Sequence, residues 1–183
     1  MLSIIILISS ILAISSGLET QQVVSLKCGK LDYIRQEAPI FYSFNQEITE
    51  GVIEFTGYVY SSMEKAVVYL YRGLGSAYDL DRNTTLRVEF LKNDKKTIFL
   101  NRKLNNDWSA TSEFNAQPLK LEDDNKVTIK IFKDHFIVLV NGIEIKNYHR
   151  NDDAGYYIKG AAVSDNFYPR KVVLRCRAPR ESE

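Results

Sequence analysis

The segment KVTIKIFKDHFIVLVNG (Lys126–Gly142) decides the fold class, because it combines two strand patterns with two turn signals. Its first part, KVTIKIF, alternates polar and apolar residues, which is typical of a β-strand with one buried face. Its second part, HFIVLV (His135–Val140), is apolar on both faces and predicts a central strand covered on both sides. Asn141–Gly142 then predicts a tight hairpin turn, because both residues tolerate positive φ. The segment therefore predicts consecutive antiparallel strands.

Short runs of the same kind recur along the chain and are separated by turn signals. They are VIEFTGYV (Val52–Val59), AVVYLY (Ala66–Tyr71), LRVEFL (Leu86–Leu91), TIFLN (Thr97–Asn101) and KVVLRC (Lys171–Cys176). No stretch shows a sustained helical period, and no repeat or linker divides the 183 residues. We therefore predict one all-β domain, a two-sheet antiparallel β-sandwich or jelly roll.

The N-terminal residues Met1–Gly17 contain an apolar run followed by small residues, the pattern of a secretory signal peptide. The run is shorter than the roughly 20 apolar residues that span a bilayer. We therefore expect cleavage between Ser15 and Leu18, with a retained signal anchor as the alternative. No later segment is apolar over such a length. The sequence predicts a secreted, extracellular protein without membrane insertion.

Two cysteines, Cys28 and Cys176, lie beyond the predicted signal and near opposite ends of the remaining chain. In a secreted protein an even pair predicts a disulfide, and two buried free thiols are the alternative. Asn83-Thr84-Thr85 is an N-glycosylation sequon, and its polar neighbours predict a surface loop. The sequence thus predicts a disulfide-bonded glycoprotein with Asn83 as its glycosylation site, usable if that loop is exposed.

Several function classes find no support in the sequence. The net charge is +1 without a basic stripe of interleaved aromatic residues, so we expect no nucleic-acid partner. His135 and His149 have no metal-ligand spacing around them, and a strand edge and a local polar network are their expected roles. Nucleophile elbows, glycine-rich phosphate loops and Cys/His dyads are not recognisable. We therefore expect no enzyme activity, no metal and no cofactor.

The only tryptophan, Trp108, ends the polar stretch NRKLNNDW (Asn101–Trp108), which predicts an exposed loop. Such a tryptophan either folds onto its own hairpin or offers a flat platform to a ligand. An aromatic ring suits the C–H face of a sugar, whereas amides, carboxylates and guanidinium groups bind the hydroxyls. Trp108 is therefore a candidate sugar site, with Asn101, Asn105, Asn106 and Glu113 nearby.

The region from Pro39 to Leu174 resembles the galectins, which are β-galactoside-binding lectins. The resemblance rests on NRKLNNDW with seven residues from Asn101 to Trp108, on Pro118 ten residues further on, on DHFIVLVNG, and on the pair His149–Arg150. Upstream, GVIEFTGYV and KAVVYLYRG are similar to early strands of that family. The resemblance implies a jelly-roll sandwich of two sheets with a sugar groove on the concave sheet. It also implies that the first and last strands, which carry the two cysteines or lie next to them, run close together.

The sequence departs from the galectin pattern at the residues that would bind the sugar. The family's binding strand carries histidine, asparagine and arginine at alternate positions, whereas this chain has TLRVEFLKN with Arg87 and Glu89 on one predicted face. Three and five residues after the tryptophan, the family has glutamate and arginine, and this chain has Thr111 and Glu113. Each lost charge-assisted hydrogen bond costs about 1.5–3 kcal/mol. We therefore expect weakened binding of ordinary galactosides.

The sequence predicts four parts: a signal peptide (1–17), an N-terminal extension with Cys28 (18–38), a galectin-like domain (39–176) and a charged, frayed tail (177–183). The first functional hypothesis is a carbohydrate-binding protein for glycans or glycoproteins, with Trp108 as stacking platform and Asn101, Arg87, Glu89 and Glu113 at its rim. The second is a protein-interaction or structural module that has lost sugar binding. The sequence permits a homodimer but does not demand one.

Overall fold

A computed structural model describes residues 22–32, 40–73, 83–104, 107–149 and 157–177. Within these ranges all regular structure is β-strand, as predicted. The strands are β1 (Gln22–Leu26), β2 (Gly29–Asp32), β3 (Ile40–Ile48), β4 (Gly51–Val59), β5 (Lys65–Tyr71), β6 (Thr84–Leu91), β7 (Lys96–Leu104), β8 (Asp107–Phe114), β9 (Asp123–Ile131), β10 (His135–Val140), β11 (Ile143–His149), β12 (Ile158–Ser164) and β13 (Phe167–Arg175).

The strands form two sheets that enclose one main core. The seven-stranded sheet has the order β1-β3-β12-β5-β6-β7-β8, and the six-stranded sheet has the order β11-β10-β9-β4-β13-β2. Every described strand pair is antiparallel except β1 with β3. The predicted antiparallel β-sandwich is confirmed.

The period-two pattern of each strand determines which side chains enter the core. On β6, Leu86, Val88 and Phe90 are fully buried in the main cluster, whereas the side chains of Arg87 and Glu89 between them are partly exposed. The prediction that Leu86, Val88 and Phe90 face the core is therefore confirmed. The same alternation occurs on β4, where Ile53 and Phe55 point inward.

The prediction that HFIVLV forms a central strand covered on both sides is wrong. Strand β10 lies next to the edge strand β11, and His135, Ile137 and Leu139 on its outer face are only half-buried. The neighbouring β9 is the more buried strand, with Thr128 and Lys130 8% and 7% exposed on that face. The difference follows from position in the sheet, because both neighbours of β9 are interior strands, whereas β10 has the edge strand β11 on one side.

The hairpin predicted at Asn141–Gly142 joins β10 to β11. The φ angles are 52° at Asn141 and 83° at Gly142, which is the positive pair that a tight antiparallel turn requires. The Asn141 side chain also accepts a hydrogen bond from the Lys126 backbone N–H at 2.9 Å. This turn is therefore held to β9 as well as to its own hairpin.

The N-terminal strands close one end of the sandwich. Strand β1 pairs with β3 in the seven-stranded sheet, and β2 pairs with β13 in the six-stranded sheet. Cys28 lies between β1 and β2 and forms a disulfide with Cys176, directly after β13. The predicted disulfide is confirmed, and one short segment thus pairs with both sheets and is covalently tied to the last strand.

The predicted signal peptide lies outside the described residues, as do most of the tail and parts of the extension. Among the described ranges, no helix is long and apolar enough to cross a bilayer.

Candidate functional site

The outer face of the seven-stranded sheet, which points away from the main core, carries most of the predicted site residues. Strand register brings one residue from each of six strands into a row across this face. The row is Phe41, Ala162, Tyr69, Arg87, Leu100 and Thr111. Exposure rises along the row, from buried residues on β3, β12 and β5 to an exposed threonine on β8. The accessible polar part of this face is therefore on β6–β8.

Arg87 lies at the centre of this part of the face. Its guanidinium forms an ion pair and hydrogen bond with the Glu89 carboxylate. Its central carbon is 5.4 Å from the centre of the Tyr69 ring and 5.9 Å from that of the Trp108 ring, within cation–π distance of both. Burial raises the pKa of the Tyr69 hydroxyl, and the Arg87 charge opposes that rise. A cation, a carboxylate and two aromatic rings thus meet at one point.

The Arg87 Nε atom is buried and has no hydrogen-bond partner within the described part of the chain. A buried donor without a partner is uncommon in folded proteins and is often found where function requires it. The Arg87–Glu89 pair is also largely withdrawn from water, with side-chain exposures of 26% and 14%. The charges are therefore held in place rather than free to move in solvent.

Trp108 does not belong to an exposed loop, and that expectation is wrong. Strand β7 continues to Leu104 and β8 begins at Asp107, so all described residues of the stretch NRKLNNDW lie in strands. The Trp108 backbone pairs with Lys103, and its side chain is half-buried. The Ser112 hydroxyl on β8 is buried, and Trp108 lies four residues before it, so regular alternation would point the Trp108 side chain inward as well. The Trp108 ring instead lies beside Arg87 on the outer side.

Asn101 is also placed within a strand rather than at its end. Its backbone pairs with Leu86 on one side and Ala110 on the other, whereas its side chain lies outside what the structure describes. The structure thus brings the backbones of Asn101 and Trp108 to the paired strands β7 and β8. The proposed role of Asn101 at the rim stays a prediction.

Glu113 and Thr111 are both exposed on β8, on the same face as Arg87. Glu113 pairs in register with Ile98, which in turn pairs with Glu89, so two carboxylates flank one isoleucine. The Glu113 carboxylate forms an ion pair with Lys96 at 3.3 Å. The edge of the site therefore carries a carboxylate and an ammonium, whereas its centre carries a guanidinium and a carboxylate.

A second apolar cluster limits the site on the side of β3, β12 and β5. It consists of Phe41, Val67, Tyr69, Tyr71 and Ala162, all buried although they lie on the face opposite to the main core. The Tyr71 hydroxyl donates to the Tyr42 carbonyl oxygen at 2.9 Å. Only glycine fits beneath this ring, because a Cβ on Gly160 would lie 2.5 Å from it.

Tyr69 is a site residue that the sequence analysis missed. The run AVVYLY provides a signal for it, because period-two alternation places Val67, Tyr69 and Tyr71 together on one face. That face belongs to the site only because β5 pairs with β6 so that Tyr69 is opposite Arg87. Sequence spacing alone does not contain this register.

The remaining predicted residues lie elsewhere. His135 stacks on Phe132 with ring centres 4.2 Å apart, its Nδ1 is 2.7 Å from an Asp134 carboxylate oxygen, and its ring centre is 6.3 Å from that of His149. The surface loop predicted for the sequon is wrong at Thr84 and Thr85, which begin β6 and are 1% and 2% exposed, whereas Asn83 directly precedes β6 and is half-buried. No cluster of three or more metal-ligating side chains occurs in the ranges that the structure describes.

The fold and this outer face define a lectin-like β-sandwich, and the comparisons with known proteins specify it further. The model of the family described as galactoside-binding lectin matches residues 48–164, more than half of the chain. The chain therefore belongs to the galactoside-binding lectins, the galectin family. Comparison with curated proteins finds no matching sequence.

Solved galectin structures share the fold at low sequence identity. Chicken galectin 2 is 13% identical with a TM-score of 0.64, and the match covers 75% of this chain and 100% of that one. Xenopus laevis galectin-Ib is 15% identical with a TM-score of 0.63, over 75% and 100% of the two chains. Caenorhabditis elegans galectin LEC-6 is 9% identical with a TM-score of 0.63, over 80% and 95%. These neighbours support the sandwich, whereas the family match supports a carbohydrate-binding domain.

Proposed function

We propose that this protein is a secreted, non-catalytic lectin that binds glycans on the outer face of its seven-stranded sheet, over β6–β8. The observation that carries the proposal is the contact of Arg87 with Glu89, Tyr69 and Trp108 on that face. The Trp108 ring supplies a flat surface for the C–H face of a sugar. The charged side chains supply hydrogen bonds to the hydroxyls around its rim.

The glycan preference of this site differs from that of a simple galactoside site. Thr111 and Glu113 stand where the family pattern has glutamate and arginine. Among the described side chains, the guanidinium and carboxylate pair at the centre is Arg87–Glu89, which lies in register with Thr111 and Glu113 but two strands further into the sheet. Fixed donors and acceptors in new places reject a ligand whose hydroxyls do not match them, because a buried polar group without a partner costs about 1–3 kcal/mol. We therefore expect weak or undetectable binding of lactose.

The extracellular location belongs to the same proposal. A disulfide between Cys28 and Cys176 is typical of proteins that fold in an oxidising compartment. Edman sequencing of the protein recovered from culture medium should show a new N-terminus between Ser15 and Leu18. Recovery of the protein only in cell membranes, with Met1 retained, would contradict this part. Intact-mass comparison with Asn83→Gln tests the proposed sugar on Asn83.

The binding proposal is tested with an array of neutral and acidic oligosaccharides. We expect selective binding by the wild type, loss of that binding in Trp108→Ala, and wild-type binding in Ile143→Ala. Ile143 is a suitable control because it is 70% exposed and lies on the edge strand of the other sheet. Equal binding by all three proteins would contradict a role of Trp108.

A second candidate function is a protein-interaction module on the same fold without sugar binding. One observation favours it: Arg87 already contacts both aromatic rings and forms an ion pair with Glu89. These groups therefore already bind one another, and fewer of their contacts are available to a sugar. No binding to any oligosaccharide on the array, together with a folded wild type, would favour this candidate.

A further inference from the structure

A second group of aromatic and charged residues lies on the outer face of the six-stranded sheet, on the opposite side of the sandwich. Strand register places Tyr168, Tyr58 and Asp124 in one row across β13, β4 and β9. Tyr60 follows the end of β4 and contacts both other tyrosines edge to face, with ring centres 4.8 Å from Tyr58 and 5.2 Å from Tyr168. Tyr60 is 47% exposed, which is unusually high for a large hydrophobic residue in this structure.

Arg170 reaches this group because of a β-bulge. Pro169 pairs with Gly57 and Lys171 with Thr56, so Arg170 is the extra residue between them. Bulges turn a side chain out of its regular direction. The Arg170 guanidinium lies 5.1 Å from the centre of the Tyr58 ring and 3.0 Å from an Asp124 carboxylate oxygen.

The bulge depends on a close approach of two backbones. A Cβ on Gly57 would lie 2.5 Å from the Tyr168 carbonyl oxygen and 2.8 Å from the Pro169 Cα. Pro169 has no N–H to contribute to the sheet, which suits a position next to a bulge. Gly57 and Pro169 thus permit the bulge that places Arg170 over Tyr58.

Glu122 fixes the orientation of the tyrosine beneath the guanidinium. The Tyr58 hydroxyl donates to a Glu122 carboxylate oxygen at 2.9 Å, and the Ser61 backbone N–H donates to the other. Hydrogen bonds from the Ser61 side chain, the Ser61 backbone N–H and the Tyr58 hydroxyl lower the pKa of the Glu122 carboxyl, because they favour the ionised form that accepts them. The Tyr58 ring is therefore held before any ligand arrives, which reduces the entropic cost of binding.

We infer that this surface, formed by Tyr58, Tyr60, Tyr168, Arg170 and Asp124, is a second glycan-binding site. The inference rests on the proposed lectin function. Both sites combine a guanidinium over a tyrosine ring, a carboxylate that pairs with it and a further aromatic side chain. The second site is more accessible, since the side chains of Arg170 and Asp124 are 52% and 45% exposed.

Two sites on opposite sheets would make a single chain bivalent. The exposed part of Tyr60 offers the apolar contact for a sugar ring, and the N–H groups of Arg170 that do not bind Asp124 offer hydrogen bonds to hydroxyls. A monomer could then link two glycan-bearing molecules, which raises avidity without a second copy of the chain.

The test measures how many glycans bind per chain and where. The probes are serum albumin conjugates, each carrying one neutral or acidic oligosaccharide, and the free oligosaccharides for calorimetric titration. The proteins are the wild type, Tyr60→Ala, Arg170→Gln, Trp108→Ala, the double variant Tyr60→Ala/Trp108→Ala and the control Ile143→Ala. Arg170→Gln keeps the test decisive if Tyr60→Ala does not fold.

We expect two glycans per chain for the wild type and for Ile143→Ala, one for each single variant at either site, and none for the double variant. A monomer with a single site cannot cross-link the conjugates. Each variant that retains one site should therefore fail to precipitate them, and sedimentation checks that the protein is a monomer. One glycan per wild-type chain, lost in Trp108→Ala and kept in Tyr60→Ala and Arg170→Gln, would overturn this inference and leave the proposed function intact. Binding lost in Tyr60→Ala but unchanged in Trp108→Ala would overturn the site on the seven-stranded sheet instead. No binding by any protein would overturn both.

Discussion

Cys28 and Cys176 are separated by 148 residues, yet their Cα atoms lie 5.6 Å apart and a disulfide joins them. This bond links the segment between β1 and β2, which pair with different sheets, to the end of β13. It therefore ties the two sheets together at one end of the sandwich. Because it closes a long loop in the unfolded chain, we expect it to contribute substantially to stability.

We predict that Cys28→Ser/Cys176→Ser lowers the free energy of unfolding by about 2–5 kcal/mol, as a loop of this length implies in the chain-entropy model. The measurement is urea denaturation of the wild type and the double variant. The wild type in reductant should shift toward the variant. An equal midpoint for all three samples would show that the disulfide does not stabilise the fold.

Arg87 and Glu89 should behave as a coupled pair. Arg87→Met leaves the Glu89 carboxylate, which is 14% exposed, without its partner. We expect a loss of about 1–3 kcal/mol in stability, part of which is recovered in Arg87→Met/Glu89→Gln because the unpaired charge is then gone. Chemical denaturation of the wild type, Arg87→Met, Glu89→Gln and the double variant gives the coupling energy. Additive losses would show that the pair does not interact energetically.

Gly160 should tolerate no side chain. A Cβ there would lie 2.5 Å from the Tyr71 ring and 2.5 Å from the Tyr42 carbonyl oxygen. We expect Gly160→Ala to cost about 1–3 kcal/mol, as overpacking usually does. In a Tyr71→Leu background the cost should fall without vanishing, because the carbonyl remains. A thermal midpoint unaffected by Gly160→Ala would contradict this close packing of Gly160 against Tyr71.

The buried Asn125 amide should stabilise the segment from Lys120 to Asp123, which leads into β9. Its oxygen accepts from the Lys120 N–H at 2.7 Å, and its Nδ2 donates to the Lys120 and Asp123 carbonyl oxygens at 2.7 and 3.1 Å. Asn125→Ala leaves these groups without partners, at about 1–3 kcal/mol for each one that stays buried. Equilibrium unfolding measures the loss, and the exposed neighbour Lys126→Ala is the control. Equal effects of the two substitutions would refute this role.

Glu122 should contribute to stability in a pH-dependent way. Hydrogen bonds from the Ser61 side chain and backbone N–H, and then from the Tyr58 hydroxyl, hold the pKa of its carboxyl below the usual value of 4.5. The ionised form is therefore favoured in the folded state, and its contribution is full above that value and is lost as the pH falls through the folded-state pKa. Thermal midpoints of the wild type and Glu122→Gln should differ at about pH 7 and converge toward about pH 3.

A difference in midpoint that stays constant over this pH range would show that ionisation of Glu122 plays no part. The exposed Glu144→Gln on β11 is the matched control, because Glu144 has the same chemistry on an edge strand. Its substitution should leave the thermal midpoint unchanged at each pH.

The sequence by itself determined the local features of the fold. Period-two alternation fixed the inward positions of Leu86, Val88 and Phe90 and the outward positions of Arg87 and Glu89, because successive side chains of a strand point to opposite faces. Asn141–Gly142 specified its hairpin, since few other residues adopt two positive φ angles at low cost. The cysteine pair was also predictable, because only two cysteines are available.

The tertiary structure decided what depends on partners distant in sequence. Whether β10 is central, which tyrosine lies opposite Arg87, and which face the Trp108 ring reaches all follow from strand order and register, and these pairings join residues far apart in the chain. The bulge at Arg170 breaks the alternation that made the rest predictable. Local sequence sets the two faces of a strand by sterics, whereas the neighbours of each face are set by the packing of the whole sandwich.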